Sequence, residues 1–232
     1  FTLVESTEST CLYSLKSNEE TYAKYPYEFE LLIGYELTEA GIKVLWTVKN
    51  PGDKTLEFSI GAHPAFYWPM LSNIERENLG KMEKMLAADN RRGFFRFGSD
   101  KKIVLMNTTL GDKGCADTTS EKTRIETDEN GLLPLVTETF NHDALILENS
   151  QVSEVTLTDQ KGLPYLTLRF DAPLVGLWSP PKKNAPFVCI EPWYGRCDSM
   201  NYQGDYENKE WIQKLQEGKT FETKYTIVIE RH

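Results

Sequence analysis

The chain has 232 residues, of which 40% are apolar and 26% charged, values that exclude a disordered chain or a coiled coil and predict a packed globular core. Acidic residues outnumber basic ones by 35 to 26, and the net charge of -9 disfavours nucleic acid and anionic membrane surfaces as partners. Because the sequence has no apolar run of membrane-spanning length and no leader-like pattern at its amino end, we expect a cytoplasmic protein whose four cysteines are reduced.

Alternation of apolar and polar residues predicts strands along the first quarter of the chain. Residues 28–37 place five apolar side chains, from Phe29 to Leu37, on one face and mainly acidic side chains on the other. The same period of two recurs over 42–48, where a short turn predicts a hairpin with the first strand, and again over 56–62.

Short segments separated by polar turns continue this pattern to the end of the chain. Further strands are expected at 102–106, 144–148, 155–158, 165–170, 175–178, 187–191 and 221–230. Residues 72–89 are expected to form a short helix or a loop, and residues 208–216 a brief helix. The many short strands predict one all-β domain over residues 1–232, built as an antiparallel β-sandwich.

His63 stands on the polar face at the end of the third predicted strand, directly before Pro64. Proline has no N–H and biases the preceding residue to extended geometry, so the strand is expected to end there and to leave the imidazole at the rim of a cleft. Histidine exchanges a proton near neutral pH, which suits a general acid. A hydrogen-bonded structural histidine explains the same position, and periodicity alone favours that interpretation.

Glu191 ends the apolar run at 187–190, which predicts a central strand that is buried on both faces. A carboxylate at the end of such a strand is expected to be partly desolvated, and desolvation raises a carboxyl pKa towards the range of a useful general base. A salt bridge to Arg196 would instead give Glu191 a structural role, and both interpretations stay open. Pro192 is expected to end this strand.

Other polar groups give weaker indications. His142 and Asp143 precede an apolar run, but together with Asn141 they are also ordinary loop residues. The chain has three histidines, one of them the terminal His232, so a zinc centre is not expected. The sequence has no phosphate-binding glycine loop and no nucleophile elbow.

Several of these segments together resemble the aldose 1-epimerase (galactose mutarotase) superfamily, in particular its LacX-like branch. The matching segments occur in order at 25–29, in the strand that leads to 50–52, and at 61–66, 143–146, 176–179, 185–198 and 208–210. The strongest of them, 185–198, reads Ala-Pro-Phe-Val-Cys-Ile-Glu-Pro-Trp-Tyr-Gly-Arg-Cys-Asp. Residues 70–135 match poorly, but agreement in order over most of the chain is more specific than any single motif.

The resemblance implies the supersandwich of large antiparallel sheets that this superfamily uses, with a sugar cleft across its concave face. It implies an isomerase that acts on a sugar and needs neither a cofactor nor a metal. In that reaction Glu191 would take the proton of the anomeric hydroxyl and His63 would protonate the ring oxygen. The ring would open to the aldehyde and close again as the other anomer.

The resemblance also implies a set of sugar-binding residues. Asp143, or Asn141 if the alignment shifts, would anchor a sugar hydroxyl. Phe66 and Trp193 would form walls of the cleft, by position only.

One departure from the family and two alternative functions accompany this interpretation. Family members carry an earlier segment with Gly-Arg and His-Gly-Phe motifs, and Phe1 aligns just after it, so we expect this fold to lack its N-terminal strands.

The alternative functions are a non-catalytic carbohydrate-binding or sensing protein and a hexose-phosphate 1-epimerase. The second would need a cationic pocket, for which the candidates are Arg91, Lys182, Lys183 and Arg196.

Overall fold

The computed structural model describes residues 1–68, 92–183 and 185–230, most of which lie in antiparallel strands or in the turns that join them. In chain order the strands are β1 (Thr2–Ser6), β2 (Thr10–Lys16), β3 (Glu30–Thr38), β4 (Gly41–Lys49), β5 (Leu56–Phe58), β6 (Ile60–Gly61), β7 (Ala65–Tyr67), β8 (Phe94–Arg96), β9 (Val104–Thr108), β10 (Thr123–Glu126), β11 (Leu132–Pro134), β12 (Leu145–Leu147), β13 (Glu154–Thr158), β14 (Pro164–Phe170), β15 (Leu174–Trp178), β16 (Phe187–Tyr194), β17 (Gln213–Leu215) and β18 (Thr220–Ile229). The described part of the chain also contains a short helix, α1 (Glu19–Tyr22), and 3-10 turns at Asp112–Gly114, Thr137–Phe140 and Tyr206–Asn208. The helix or loop expected at 72–89 and the candidate cation Arg91 lie outside the described residues.

A large antiparallel sheet forms one layer of the fold. Over the described ranges it has nine strands in the order β1-β2-β3-β4-β18-β14-β13-β8-β11. Strands β3 and β4 pair along their whole length, which confirms the hairpin predicted from their alternation. Strand β18 brings the carboxyl-terminal segment into the middle of this sheet, between β4 and β14.

A second antiparallel sheet carries the residues of chemical interest. Its order in the described part of the chain is β10-β9-β12-β15-β16-β6, and β7 also pairs with β16. Strand β16 therefore has β15 on one side and both β6 and β7 on the other. His63 lies between β6 and β7, so this pairing carries it alongside the strand that contains Glu191.

The main core fills the space between the two sheets. Leu168 of β14 and the residues Val188 and Ile190 of β16 are completely buried in it. Because successive side chains of a strand point to opposite faces, Cys189 and Glu191 point away from this core, to the outer face of the second sheet. Two antiparallel layers around one core confirm the predicted β-sandwich class.

The strand predicted at 56–62 and the helix predicted at 208–216 both differ from the structure. The strand divides into β5 and β6, and β5 pairs with β17 in a small third sheet. The helix prediction is wrong, because Trp211 has a φ of 64° and Leu215 lies opposite Leu56 over a second apolar cluster. Tertiary packing thus overrides the local helical pattern.

Strand β16 continues past Pro192, although this proline was expected to end it. Pro192 pairs with Val175 of β15, and the strand runs on to Tyr194. The nitrogen and carbonyl of a strand residue point to the same side, and the Pro192 carbonyl accepts a hydrogen bond from Ala62 N at 3.1 Å. The missing N–H therefore faces the break between β6 and β7. On the other side of β16, the hydrogen bonds to β15 are unaffected.

The inward face of β3 is less covered than its alternation predicted. Tyr35 and Leu37 share a face with Val44 and Ile42 of β4, but they are 41% and 57% exposed. The main core includes fully buried residues of β4, whereas from β1 to β3 it includes only the half-buried Ile33. An apolar pattern fixes which way side chains point, but it does not show whether another layer lies over them.

All four cysteines are free thiols, as predicted. Among the residues that the structure describes, no helix has the length and apolar character needed to cross a membrane.

A buried ion network joins the second sheet to the carboxyl-terminal loop. The side chains of Glu148, after β12, and Arg196, after β16, are 5% and 2% exposed. Arg196 Nε donates to Glu148 Oε1 at 2.6 Å, Arg196 Nη2 donates to Glu210, and Lys122 Nζ donates to Glu148 Oε2 at 2.6 Å. Burial raises the pKa of Glu148, but these hydrogen bonds outweigh burial and hold the pKa below its usual value. The network fixes Arg196 beside the outer face of the sheet.

We expect Arg196→Met to lower the free energy of unfolding by about 3 to 5 kcal/mol, because it removes the more deeply buried of the two cations that pair with the buried Glu148 carboxylate. Urea denaturation of the two proteins measures the difference. Arg169→Met is the matched control, since Arg169 pairs with Glu154 at 3.0 Å on the surface and its loss is expected to cost less than about 1 kcal/mol. Equal losses in the two variants would contradict this account of the network.

Candidate active site

His63 and Glu191 lie next to each other on the outer face of the second sheet. His63 Nε2 is 3.4 Å from Glu191 Oε1, although the two residues belong to distant parts of the chain. The imidazole is on the solvent side, with 61% of its side chain exposed, and the carboxylate is on the inner side with 5% exposed. The pairing of β6 and β7 with β16 produces this arrangement from two short strands and one long one.

Burial gives Glu191 an unusual protonation equilibrium. Removal from water raises the pKa of Glu191 to about 7, although a hydrogen bond from the Trp193 side chain partly opposes this effect. The carboxyl group therefore exchanges its proton in the neutral range, which the desolvated strand end predicted. Arg196, the cation that the structural interpretation would pair with it, bonds to Glu148 and Glu210 instead.

Trp193 lies in the floor of the same site because two glycines leave room for its ring. A Cβ atom added to Gly176 or to Gly61 would overlap ring atoms of Trp193. Gly176 is the register partner of Glu191 on β15, and Gly61 is the register partner of Trp193 on β6. The indole of Trp193 thus lies across β15 and β6, the two strands beside β16, and donates a hydrogen bond to Glu191.

Asp143 reaches the site through a tryptophan. Asp143 Oδ1 accepts a hydrogen bond from Trp178 Nε1 at 2.8 Å, and the Trp178 ring meets the His63 ring edge to face at a centroid distance of 5.6 Å. Asp143 has a φ of 73°, a conformation that aspartate tolerates better than most residues. The other candidate, Asn141, follows the 3-10 turn Thr137–Phe140, and its backbone N–H bonds to Glu138.

Phe66 does not join this group. It pairs with Val188, and both side chains point towards the main core rather than towards Glu191. Trp178 and Cys189, by contrast, belong to the site and were not singled out as site residues from the sequence. Val175 and Leu177 are buried in the main core, and successive side chains of a strand point to opposite faces. This alternation indicates that Trp178 points to the outer face.

A cleft of about 470 Å³, within the range of small-molecule sites, opens over part of this group, and Asp143, Trp178 and Cys189 lie outside its lining. Its lining includes His63, Glu191 and Trp193, together with Ile146, Leu110 and Arg196. A smaller apolar cavity of about 250 Å³ lies over the second apolar cluster, is lined by aromatic and aliphatic side chains and contains neither His63 nor Glu191. Of these two cavities in the described part of the chain, the larger one contains both the acid and the base candidates.

Comparison with known proteins gives a consistent result. A family model described as aldose 1-epimerase matches residues 1–226. Protein LacX, plasmid, from Lactococcus lactis subsp. lactis is 29% identical over 231 residues, which are 99% of this chain and 71% of that protein. A crystal structure of a galactose mutarotase related enzyme from Lactobacillus acidophilus has a TM-score of 0.80 at 28% identity and covers 100% of this chain and 71% of its own. A galactose mutarotase-like protein from Lactobacillus casei has a TM-score of 0.79 at 25% identity, with 99% and 73% covered.

We expect Glu191→Gln to stabilise the protein at pH 8 by about 1 to 3 kcal/mol and to leave its stability near pH 4 unchanged. The pKa of this carboxyl group is higher in the folded chain than in the unfolded chain. The free energy of unfolding therefore falls as the pH rises from the unfolded-state pKa to the folded-state pKa of about 7. Glutamine has no charge to desolvate, so the difference between the two proteins is expected to grow with pH and then level off.

Urea denaturation from pH 4 to pH 8 measures this difference. Glu222→Gln, at an exposed position on β18, is the control and is expected to show no such growth with pH. A stability difference between wild type and Glu191→Gln that is independent of pH would contradict the elevated pKa.

Proposed function

The chain belongs to the aldose 1-epimerase family, and we propose that it interconverts the α and β anomers of an aldohexose by general acid-base catalysis at Glu191 and His63. The observation that carries this proposal is the 3.4 Å contact between a buried carboxylate and an open imidazole in a sugar-sized cleft.

Glu191 fits the role of the general base. With a pKa of about 7, it is a carboxylate in a substantial fraction of molecules at neutral pH and still accepts a proton readily. An ordinary surface carboxylate would be a weaker base. In the proposed step Glu191 takes the proton of the hydroxyl on the anomeric carbon.

His63 fits the role of the general acid. The two sugar oxygens that exchange protons are bonded to the same carbon, so the groups that act on them must lie within a few ångströms of each other. As Glu191 removes the hydroxyl proton, His63 protonates the ring oxygen and the bond between that oxygen and the anomeric carbon breaks. Rotation about the adjacent carbon–carbon bond and closure with reversed roles give the other anomer and return both protons.

Asp143 and Trp193 are proposed to hold the sugar. Asp143 keeps one carboxylate oxygen beyond the Trp178 hydrogen bond with which to accept from a sugar hydroxyl. The Trp193 indole offers an apolar ring face in the floor, a surface against which the C–H groups of a pyranose pack well.

The cation candidates favour an unphosphorylated sugar over a hexose phosphate. Arg196 lines the cleft, but its guanidinium group is committed to two carboxylates. Lys182 and Lys183 lie in an exposed turn after β15 and are not among the residues that line the cleft. The carboxylates that hold Arg196 would also repel a phosphate group. A non-catalytic sugar-binding role would use the same cleft, but it gives no reason for a carboxyl pKa near neutrality.

We expect Glu191→Gln and His63→Asn each to lower kcat by about 10² to 10⁴, with a small change in KM, because each removes a proton-transfer group and leaves the sugar contacts in place. Exchange NMR on the equilibrium mixture of anomers measures the rates, and Glu222→Gln serves as the control. Undiminished rates in either variant would refute its role. Saturable binding of aldohexoses to the wild type, with no rate above buffer, would identify the protein as a binding module.

The rate should also depend on pH through Glu191. We expect kcat/KM to fall by up to about tenfold per pH unit below pH 7, because the free protein must hold Glu191 as a carboxylate to begin the reaction. The measurement is kcat/KM from pH 5 to pH 8 at constant ionic strength. An acid limb centred near the ordinary carboxyl range would contradict the raised pKa on which this role of Glu191 depends.

A further inference from the structure

We propose that the cleft also binds a divalent transition-metal ion of the zinc class through His63, Cys189 and Glu191, and that the bound ion excludes the sugar. The binding of the ion stands on the geometry alone, whereas its effect on turnover rests on the proposed function.

The three donor atoms are already close together. One imidazole nitrogen, the Cys189 sulfur and one Glu191 oxygen all lie within 4.8 Å of one another. In a tetrahedral zinc site with bonds of about 2.0 to 2.3 Å, neighbouring donors are roughly 3.5 Å apart. Small side-chain rotations therefore suffice to bring the three atoms around one ion.

The donor set also fits the ion chemically. Imidazole nitrogen, thiolate sulfur and carboxylate oxygen are the three ligand types that zinc uses in proteins, and three protein ligands leave a fourth position for water. Cys189 is fully buried and forms the inner end of the group, while the exposed His63 provides the entry from solvent. Coordination replaces the thiol proton with the ion, and that proton passes to solvent.

Cys189 has no evident part in the sugar chemistry. Burial, with a smaller contribution from the Glu191 charge, raises the pKa of Cys189 to about 12, so its thiol acts neither as a nucleophile nor as a base near neutral pH. Its position opposite Ala65 and Trp178 nevertheless directs it to the same outer face as Glu191. Cys189 is thus available as a third ligand to a metal ion, beside His63 and Glu191, and has no role in the proposed sugar reaction.

A bound ion would stop the proposed reaction directly. It occupies the lone pair with which Glu191 accepts a proton and the nitrogen through which His63 donates one. Inhibition is therefore expected to be competitive with the sugar.

Titration of the metal-free chain with Co²⁺ tests the site without reference to activity. We expect a sulfur-to-cobalt charge-transfer band in the wild type, loss of that band in Cys189→Ser, and displacement of Co²⁺ by Zn²⁺. Removal of a ligand is expected to weaken Zn²⁺ binding by more than about tenfold, since even outer partners of a metal site contribute 10-fold to 100-fold. Cys11→Ser, a thiol on β2 in the other sheet, is the control and should keep the band and the affinity.

His63→Asn provides a second variant at an exposed position, where a packing defect cannot account for the result. It should weaken Zn²⁺ binding to a similar extent. Absence of the thiolate band in the wild type, or wild-type Zn²⁺ affinity in Cys189→Ser, would overturn the metal site.

Anomer-exchange NMR with added Zn²⁺ tests the second part. We expect Zn²⁺ to raise the apparent KM of the wild type, and Cys189→Ser to need more than about tenfold more Zn²⁺ for the same effect. Unchanged turnover at Zn²⁺ concentrations that saturate the Co²⁺-competition signal would overturn the exclusion of sugar. A chain that gives the cobalt band but no turnover without metal would refute the proposed enzyme and leave the metal site intact.

Discussion

The proposed chemistry depends on one unfavourable condition, a carboxyl group held in a place from which water is largely removed. Glu191 lies in a strand whose alternate residues, Val188 and Ile190, are locked in the main core, so the strand cannot turn to expose it. The cost of keeping its charge there appears as a raised pKa, and the same cost supplies the basicity that the proposed ring opening needs. Stability and reactivity are thus opposed at a single side chain.

A second carboxylate shows the opposite solution to burial. Glu148 is as buried as Glu191, but it accepts hydrogen bonds from Arg196, Lys122 and Thr108. These bonds hold its pKa below the usual value, so it stays ionised. Glu148 directly follows β12 and Glu191 lies in β16 of the same sheet, yet the local donors make Glu148 a structural anion and leave Glu191 able to act as the proposed proton acceptor. Since Arg196 is held by the first, it does not neutralise the second, and the division of roles depends on that commitment.

Alternation along the chain predicted most of the strands and the sandwich, because a period of two is a local property of extended backbone. It did not reveal that Tyr35 and Leu37 stay exposed, nor that Leu215 packs opposite Leu56, because both facts depend on distant segments. Burial of Glu191 followed from the apolar run before it, whereas its contact with His63 required the pairing of β16 with β6 and β7, which the resemblance to a family supplied and the local pattern did not. Cys189 looked like one more core residue because four apolar positions in succession conceal which face each one occupies.

The bare backbone at Gly61 and Gly176 has a consequence for how this cleft can change over evolutionary time. With the indole of Trp193 resting directly on both neighbouring strands, Gly61 and Gly176 have no side chains beneath the ring that could be trimmed to deepen the cavity. As long as Trp193 is kept, a change in the shape of the cleft is therefore expected mainly at its rim, where loops tolerate exchange.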